Sequence, residues 1–222
     1  MSFDIISKTR SFQGRPVDNL LVQCVDEHDA STLDSEFNYI KEHTQASFML
    51  LALKVGSWNG DLSPWKAPAV WGNEGFGDGA EDTLRTITET LIPDAMKSGE
   101  LSDKPSIYLG GYSLAAFFAL WAGYQKDFDG ICAASPSVWF PDWMDYAKAN
   151  TFLSKKCYLS LGKKEEKTRN QVMARVGDCI RTQMEIFGNS KIESILEWNE
   201  GNHFTEPDIR TAKGFCWLLG TS

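Results

Sequence analysis

Apolar and polar positions along the chain follow two rhythms. Short continuous apolar runs read as strands buried on both faces, and apolar residues three and four apart read as helices. The first run is Leu20-Leu21-Val22-Gln23-Cys24-Val25, ended by Asp26-Glu27-His28-Asp29. Residues 31–43 then carry Leu33, Phe37 and Ile40 at helical spacing. Residues 46–55, centred on Phe48-Met49-Leu50-Leu51-Ala52-Leu53, predict a buried strand. Helical spacing returns over 81–96 through Leu84, Ile87 and Leu91, interrupted late by Pro93.

The second half alternates more regularly. Strands are predicted at 106–109, 130–134, 156–161 and 192–198. Helices are predicted at 114–124, 143–150, 170–187 and 207–219, the last with Pro207 suitably in its first turn. Repeated strand–helix–strand units give a mostly parallel sheet with helices on both faces. No repeat or low-complexity linker divides the chain, so residues 1–222 read as a single α/β domain. In such sheets reactive groups gather at the carboxyl ends of the strands.

One segment breaks the alternation. Residues 56–80 form a long connection punctuated by Gly and Pro, carrying Trp58, Trp65, Trp71 and Phe76. A loop of this length inside a compact domain is usually functional or disordered, and its aromatic content argues against disorder. The same rings would also serve as a satellite core roofing the sheet.

Composition narrows the function classes. Thirty acidic residues against 22 basic ones give a net charge of −8, which disfavours nucleic acid and anionic membrane as partners. The longest apolar run, 114–122, is far short of the ~20 residues a membrane span needs. The first residues, Met1-Ser2-Phe3-Asp4-Ile5-Ile6-Ser7-Lys8, show no charged segment followed by a long apolar core, so no secretory signal is expected. Cys24, Cys132 and Cys157 lie in strand-like runs, Cys179 and Cys216 in helix-like ones. An odd count without Cys-x-x-Cys or zinc spacing predicts buried reduced thiols in a cytoplasmic protein, with no metal and no cofactor.

The chemistry concentrates at three strand ends. Gly110-Gly111-Tyr112-Ser113-Leu114-Ala115 lies between a strand and a helix, the setting of the Gly-x-Ser-x-Gly nucleophile turn with Ala115 for the last Gly. Such a turn holds Ser113 in a strained conformation with its hydroxyl above the sheet, and small residues two before and two after let strand and helix approach. The competing reading is a Gly-rich turn into a capped helix, though not a dinucleotide site, because Gly-x-Gly-x-x-Gly is incomplete. Of three histidines, His28 and His43 precede the serine, whereas His203 follows the last strand, where a general base can return beside the nucleophile. After the penultimate strand, either Glu165 or Glu166 is placed to orient that imidazole, Asp142 being a weaker substitute. Both glutamates also fit a solvated charge run, 163–167.

Taken together, Gly111-Tyr112-Ser113-Leu114-Ala115, Trp58-Asn59-x-Asp61-Leu62-Ser63-Pro64-Trp65, Gly162-x-x-Glu165 and Gly201-x-His203-Phe204 resemble the esterase group of the α/β hydrolases that includes esterase D-like, feruloyl-esterase-like and siderophore-esterase-like enzymes. The resemblance runs from about residue 20 to the C-terminus. It implies an α/β-hydrolase fold, with Ser113 as nucleophile, His203 as base and Glu165 at the Gly-x-x-acid position, although the group's acid is often Asp and some siderophore-hydrolysing members use a Ser–His pair. The oxyanion hole is expected from the Leu114 N–H and a second donor at Ser57 or Trp58, with Trp58 preferred. The short stretch 135–149 leaves no room for a cap domain. Trp65, Trp71, Tyr112 and Trp139, with Trp58 and Phe140 beside them, are the expected substrate contacts. The expected function is a serine carboxylic-ester hydrolase acting on a small-molecule ester. A thioesterase or peptidase with the same triad, or a silent hydrolase-fold binding protein, are the alternatives.

Overall fold

The computed structural model describes residues 4–220 apart from Trp71. Seven strands form one sheet in the order β1-β3-β2-β4-β5-β6-β7. They are β1 (Asp4–Arg10), β2 (Val17–Val25), β3 (Phe48–Lys54), β4 (Leu101–Tyr112), β5 (Gly130–Ala134), β6 (Lys156–Gly162) and β7 (Glu193–Asn199). All neighbours are parallel except β1, which runs antiparallel to β3 along the edge. The buried runs became strands because helices cover both faces: every residue of β5 is buried, as are the first six of β3. Edge strand β1 gave no such signal, since its residues are exposed or half-buried and carry Lys8 and Arg10.

The helices sort to two faces. Helix α1 (Glu27–His43) and the last helix, α8 (Pro207–Leu218), pack together over one face around Leu21, Leu50, Tyr158 and Phe215. The larger core, on the other face, takes in α3 (Ala80–Thr86), α5 (Ser113–Gln125), α6 (Trp143–Ala149) and α7 (Val176–Ser190). Helix α5 is buried from Leu114 to Tyr124, as its lack of a polar side requires.

Several boundaries move for identifiable reasons. Helix α1 begins one turn earlier than its apolar spacing suggests, because the Asp26 carboxylate accepts the Asp29 N–H at 2.8 Å. The segment broken by Pro93 stays helical through a π turn, Ile87–Leu91, before α4 (Ile92–Lys97). Strand β4 is longer than predicted, and its pairing with β2 jumps from Val17–Leu101 to Asn19–Ser106. Pro105, which has no N–H to give, lies in the skipped stretch. The helix expected from 170 begins instead with a 3-10 turn, Met173–Arg175. Asn170 Oδ1 accepts the Val172 and Met173 amides there, while its Nδ2 donates to Val70 O at 2.7 Å. The 56–80 connection includes a single helical turn, α2 (Trp58–Asp61).

One buried acid on α1 has a consequence for stability. Glu36 is 4% exposed, and both its oxygens accept from Gln23 Nε2, at 3.1 and 3.0 Å. Burial pushes its carboxyl up to about 8, helped by the charges of Asp29 and Asp208 and opposed by the Gln23 bond. Between its ordinary value of 4.5 and about 8, the folded chain therefore keeps a proton that the unfolded chain has released. Stability must fall as pH rises through that window and level off above it. Glu36→Gln removes the term, so the variant should melt higher than wild type above pH 8, with the gap closing towards pH 4.5. Parallel melting curves across that range would contradict the assignment.

Candidate active site

The carboxyl ends of β4 to β7 are aligned by register, Tyr112 opposite Ala134, Ala134 opposite Ser160, and Gly162 opposite Asn199. Residues just beyond those ends therefore emerge side by side. Ser113 is the first residue of α5 and has φ +57°, a left-handed conformation that costs a non-glycine residue energy. The strand–helix approach beneath it is as close as the turn requires. A Cβ on Gly111 would lie 2.8 Å from the Ala115 Cβ, so Gly111 has no room for a side chain.

His203 reaches this serine from the loop after β7. Its Nε2 lies 2.9 Å from Ser113 Oγ, and its Nδ1 lies 2.7 Å from Glu165 Oε2. Nδ1 thus carries the proton facing the carboxylate, which leaves Nε2 to accept from the serine hydroxyl. The loop is braced: the Tyr112 hydroxyl donates to His203 O at 2.7 Å, and Asn202 Oδ1 accepts the Phe204 N–H at 2.9 Å.

Of the two candidate acids, Glu165 alone faces the histidine. Its side chain is 4% exposed, and the second oxygen, Oε1, accepts from Gly162 N (2.7 Å), Ser135 Oγ (2.8 Å) and Arg210 Nη1 (3.0 Å). Burial alone would push this carboxyl up. The His203 bond and charge, followed by the Gly162 and Ser135 bonds, outweigh it and hold the group below the usual range. The Gly-x-x-Glu spacing has a steric cause, since a Cβ on Gly162 would stand 2.9 Å from Glu165 Oε1. Glu166 turns away to pair with Arg181 at 2.9 Å. Asp142 stands at the N-cap of helix α6, just before Trp143, and makes no bond to His203.

Ser113 and His203 open on a cleft of about 800 Å³. Trp58, Phe76, Leu114 and Trp139 supply apolar lining, with Lys164 and Lys167 at its polar side. Phe204, beside the histidine, is 86% exposed. Leu114 and Trp58 both stand in the first turn of a helix, where backbone N–H groups have no partner along the helix.

Three of the expected substrate contacts lie elsewhere. Trp65 does not line the cleft: its indole N–H donates to Pro141 O at 3.0 Å, and its ring packs on Phe140 and Tyr146. Phe140 is itself buried in the core. Tyr112 lies behind the triad, where burial first and the Glu165 charge second push its phenol up to about 12. Its hydroxyl serves the His203 loop. Trp71 lies outside the described residues. Sequence reasoning missed Ser135 and Arg210. Among the described residues, no group of three or more His, Cys, Asp or Glu is arranged to hold a metal ion.

No protein-family model matches the chain, and no curated protein matches it in sequence. Solved structures do. The siderophore hydrolase EstA from Aspergillus nidulans superimposes with a TM-score of 0.78 at 18% identity, covering 99% of this chain and 90% of that one. An IroE-like serine hydrolase from Shewanella oneidensis gives 0.73 at 14% identity, covering 97% and 80%. The siderophore hydrolase EstB, also from Aspergillus nidulans, gives 0.69 at 19% identity, covering 96% and 88%. The chain has the α/β-hydrolase fold. Among the described residues no cap domain is evident. The turn at Ser113 and the loop holding His203 occupy the ends of the fourth and seventh strands.

Proposed function

We propose that this chain is a carboxylic-ester hydrolase working through Ser113, His203 and Glu165. The observation that carries the reading is the unbroken line from Glu165 Oε2 through both His203 nitrogens to Ser113 Oγ, ending at the mouth of the cleft. Ser113 Oγ attacks the ester carbonyl carbon while Nε2 takes the hydroxyl proton, and Glu165 stabilises the imidazolium that forms. The amides of Leu114 and Trp58 face the developing oxyanion. Collapse of the tetrahedral intermediate expels the alcohol, which takes the proton from Nε2, and leaves an acyl-Ser113. Water, activated by the same nitrogen, then releases the acid.

The apolar wall of Trp58, Phe76 and Trp139 supports a substrate with a planar or apolar portion, a small-molecule ester rather than a macromolecule. The names of the fold neighbours, siderophore hydrolases among them, support testing ester-linked siderophores early. The buried free thiols of Cys24, Cys132, Cys157 and Cys179 support a reducing compartment, the cytoplasm. Among the described residues no helix is long and apolar enough to cross a membrane. One sheet with two packed faces supports reading residues 1–222 as a single domain.

A panel pairing the same acyl group with an oxygen ester, a thioester and an amide tests the reaction class. The oxygen ester should have the highest kcat/KM. Turnover of the amide or thioester alone would replace the ester reading, and turnover of none would favour a binding role.

A further inference from the structure

We propose that Arg210 is a positioning residue for the Ser113–His203–Glu165 array, a single buried guanidinium that fastens the ends of four strands in the arrangement the triad needs. This rests on the hydrolase reading above. Arg210 lies in the first turn of α8 and is 2% exposed. Its Nη1 faces three acceptors: Tyr112 OH at 3.2 Å, Ser135 Oγ at 3.2 Å and Glu165 Oε1 at 3.0 Å. Its Nη2 donates to two carbonyls of the histidine loop, Glu200 O at 2.8 Å and Asn202 O at 3.0 Å.

Tyr112 ends β4, and the other partners follow β5, β6 and β7 in turn. Tyr112 precedes the nucleophile and donates to the carbonyl of His203. Ser135, itself held at φ +47°, donates its hydroxyl hydrogen bond to Glu165 Oε1. One planar fork thus touches the residue before the serine, the acid, and the carbonyls on either side of Gly201 in the loop that carries the base. The rigid, planar geometry of the guanidinium suits that task. The cradle leaves no slack, since a Cβ on Gly162 would lie 3.0 Å from Nη1.

The charges around Glu165 decide which kind of role Arg210 has. A buried carboxylate left alone is expensive, and Arg210 neutralises Glu165 in the resting site. When His203 takes the serine proton, however, the guanidinium opposes the new positive charge. Arg210 therefore favours catalysis by holding Glu165 and the His203 loop in place, not by stabilising the transition state directly. Holding both partners serves the one Glu165–His203 contact, so the effect of Arg210 should vanish once Glu165 no longer makes it.

A kinetic double-mutant cycle tests this, with every rate normalised to active sites titrated by a fluorophosphonate. Arg210→Met should lower kcat for a simple aryl ester by about 100-fold with KM changed less than about threefold. Arg210→Lys, which keeps the charge but not the fork, should recover about tenfold of that loss. In a Glu165→Gln background neither substitution should lower kcat by more than about twofold. Should Arg210→Met fail to fold, Arg210→Lys decides alone, being slower than wild type but harmless beside Glu165→Gln. Losses that multiply across the two backgrounds, or a wild-type kcat in Arg210→Lys and Arg210→Met, overturn the inference while the hydrolase reading stands. A wild type with no ester turnover overturns both.

Discussion

Ser113→Ala should lower ester hydrolysis by about 10⁵–10⁶-fold in kcat while leaving the far-ultraviolet circular dichroism spectrum unchanged. The magnitude follows from covalent catalysis. Without the hydroxyl no acyl-enzyme forms, and His203 has no positioned proton to take. The fold should survive because alanine occupies the same left-handed position as Ser113, and the backbone bond from Ser137 N to Ser113 O, 3.1 Å long, is kept. Measured under saturating ester, a variant within tenfold of wild type would mean that another group attacks the carbonyl.

The second large effect separates adjacent glutamates. Glu165→Gln should reduce kcat by about 10⁴-fold, because an amide facing Nδ1 no longer selects the tautomer that leaves Nε2 free to accept. Arg210 would also lose its carboxylate contact. Glu166→Gln should stay within about twofold of wild type, since Glu166 makes only a half-exposed pair with Arg181, and such pairs are worth ~1 kcal/mol or less. Steady-state kinetics on the two variants gives opposite answers if the acid has been assigned to the wrong residue of the pair.

Much of this arrangement was legible in the sequence because burial on both faces leaves a plain signature. Runs such as Phe48-Met49-Leu50-Leu51-Ala52-Leu53 read as central strands, and several helices between them carry apolar residues at helical spacing. The Ser113 turn and the His203 loop could be read because small residues and chain order tie them to strand ends. Edge strand β1 could not: a half-exposed antiparallel strand needs no apolar run, and Lys8 and Arg10 hide it. The glutamate pair was ambiguous because a charge run looks the same whether its members are solvated or buried. Only the space left by Gly162 and the donors Ser135 and Arg210 turn Glu165 inward.

Tryptophan was the least legible feature. Trp58 and Trp139 line the cleft, whereas Trp65 ties the 56–80 connection to the chain before α6 through its bond to Pro141 O. Nothing in local sequence separates a ring that meets substrate from one that meets protein. Arg210 did leave a trace: it sits one helical turn before Gly214 and two before Leu218, on the face of α8 that packs against the sheet. A charge at such a core position needs a buried partner, and here that partner is the acid beside His203.

The central claim is that Ser113 is a nucleophile activated by His203. Its most direct test is intact-protein and peptide mass spectrometry after treatment with a fluorophosphonate. Wild type should gain one phosphonyl group on the peptide containing Ser113, the His203→Ala variant should label far more slowly, and Ser113→Ala should not label. An unlabelled wild type, or a phosphonyl group retained in Ser113→Ala, would contradict it.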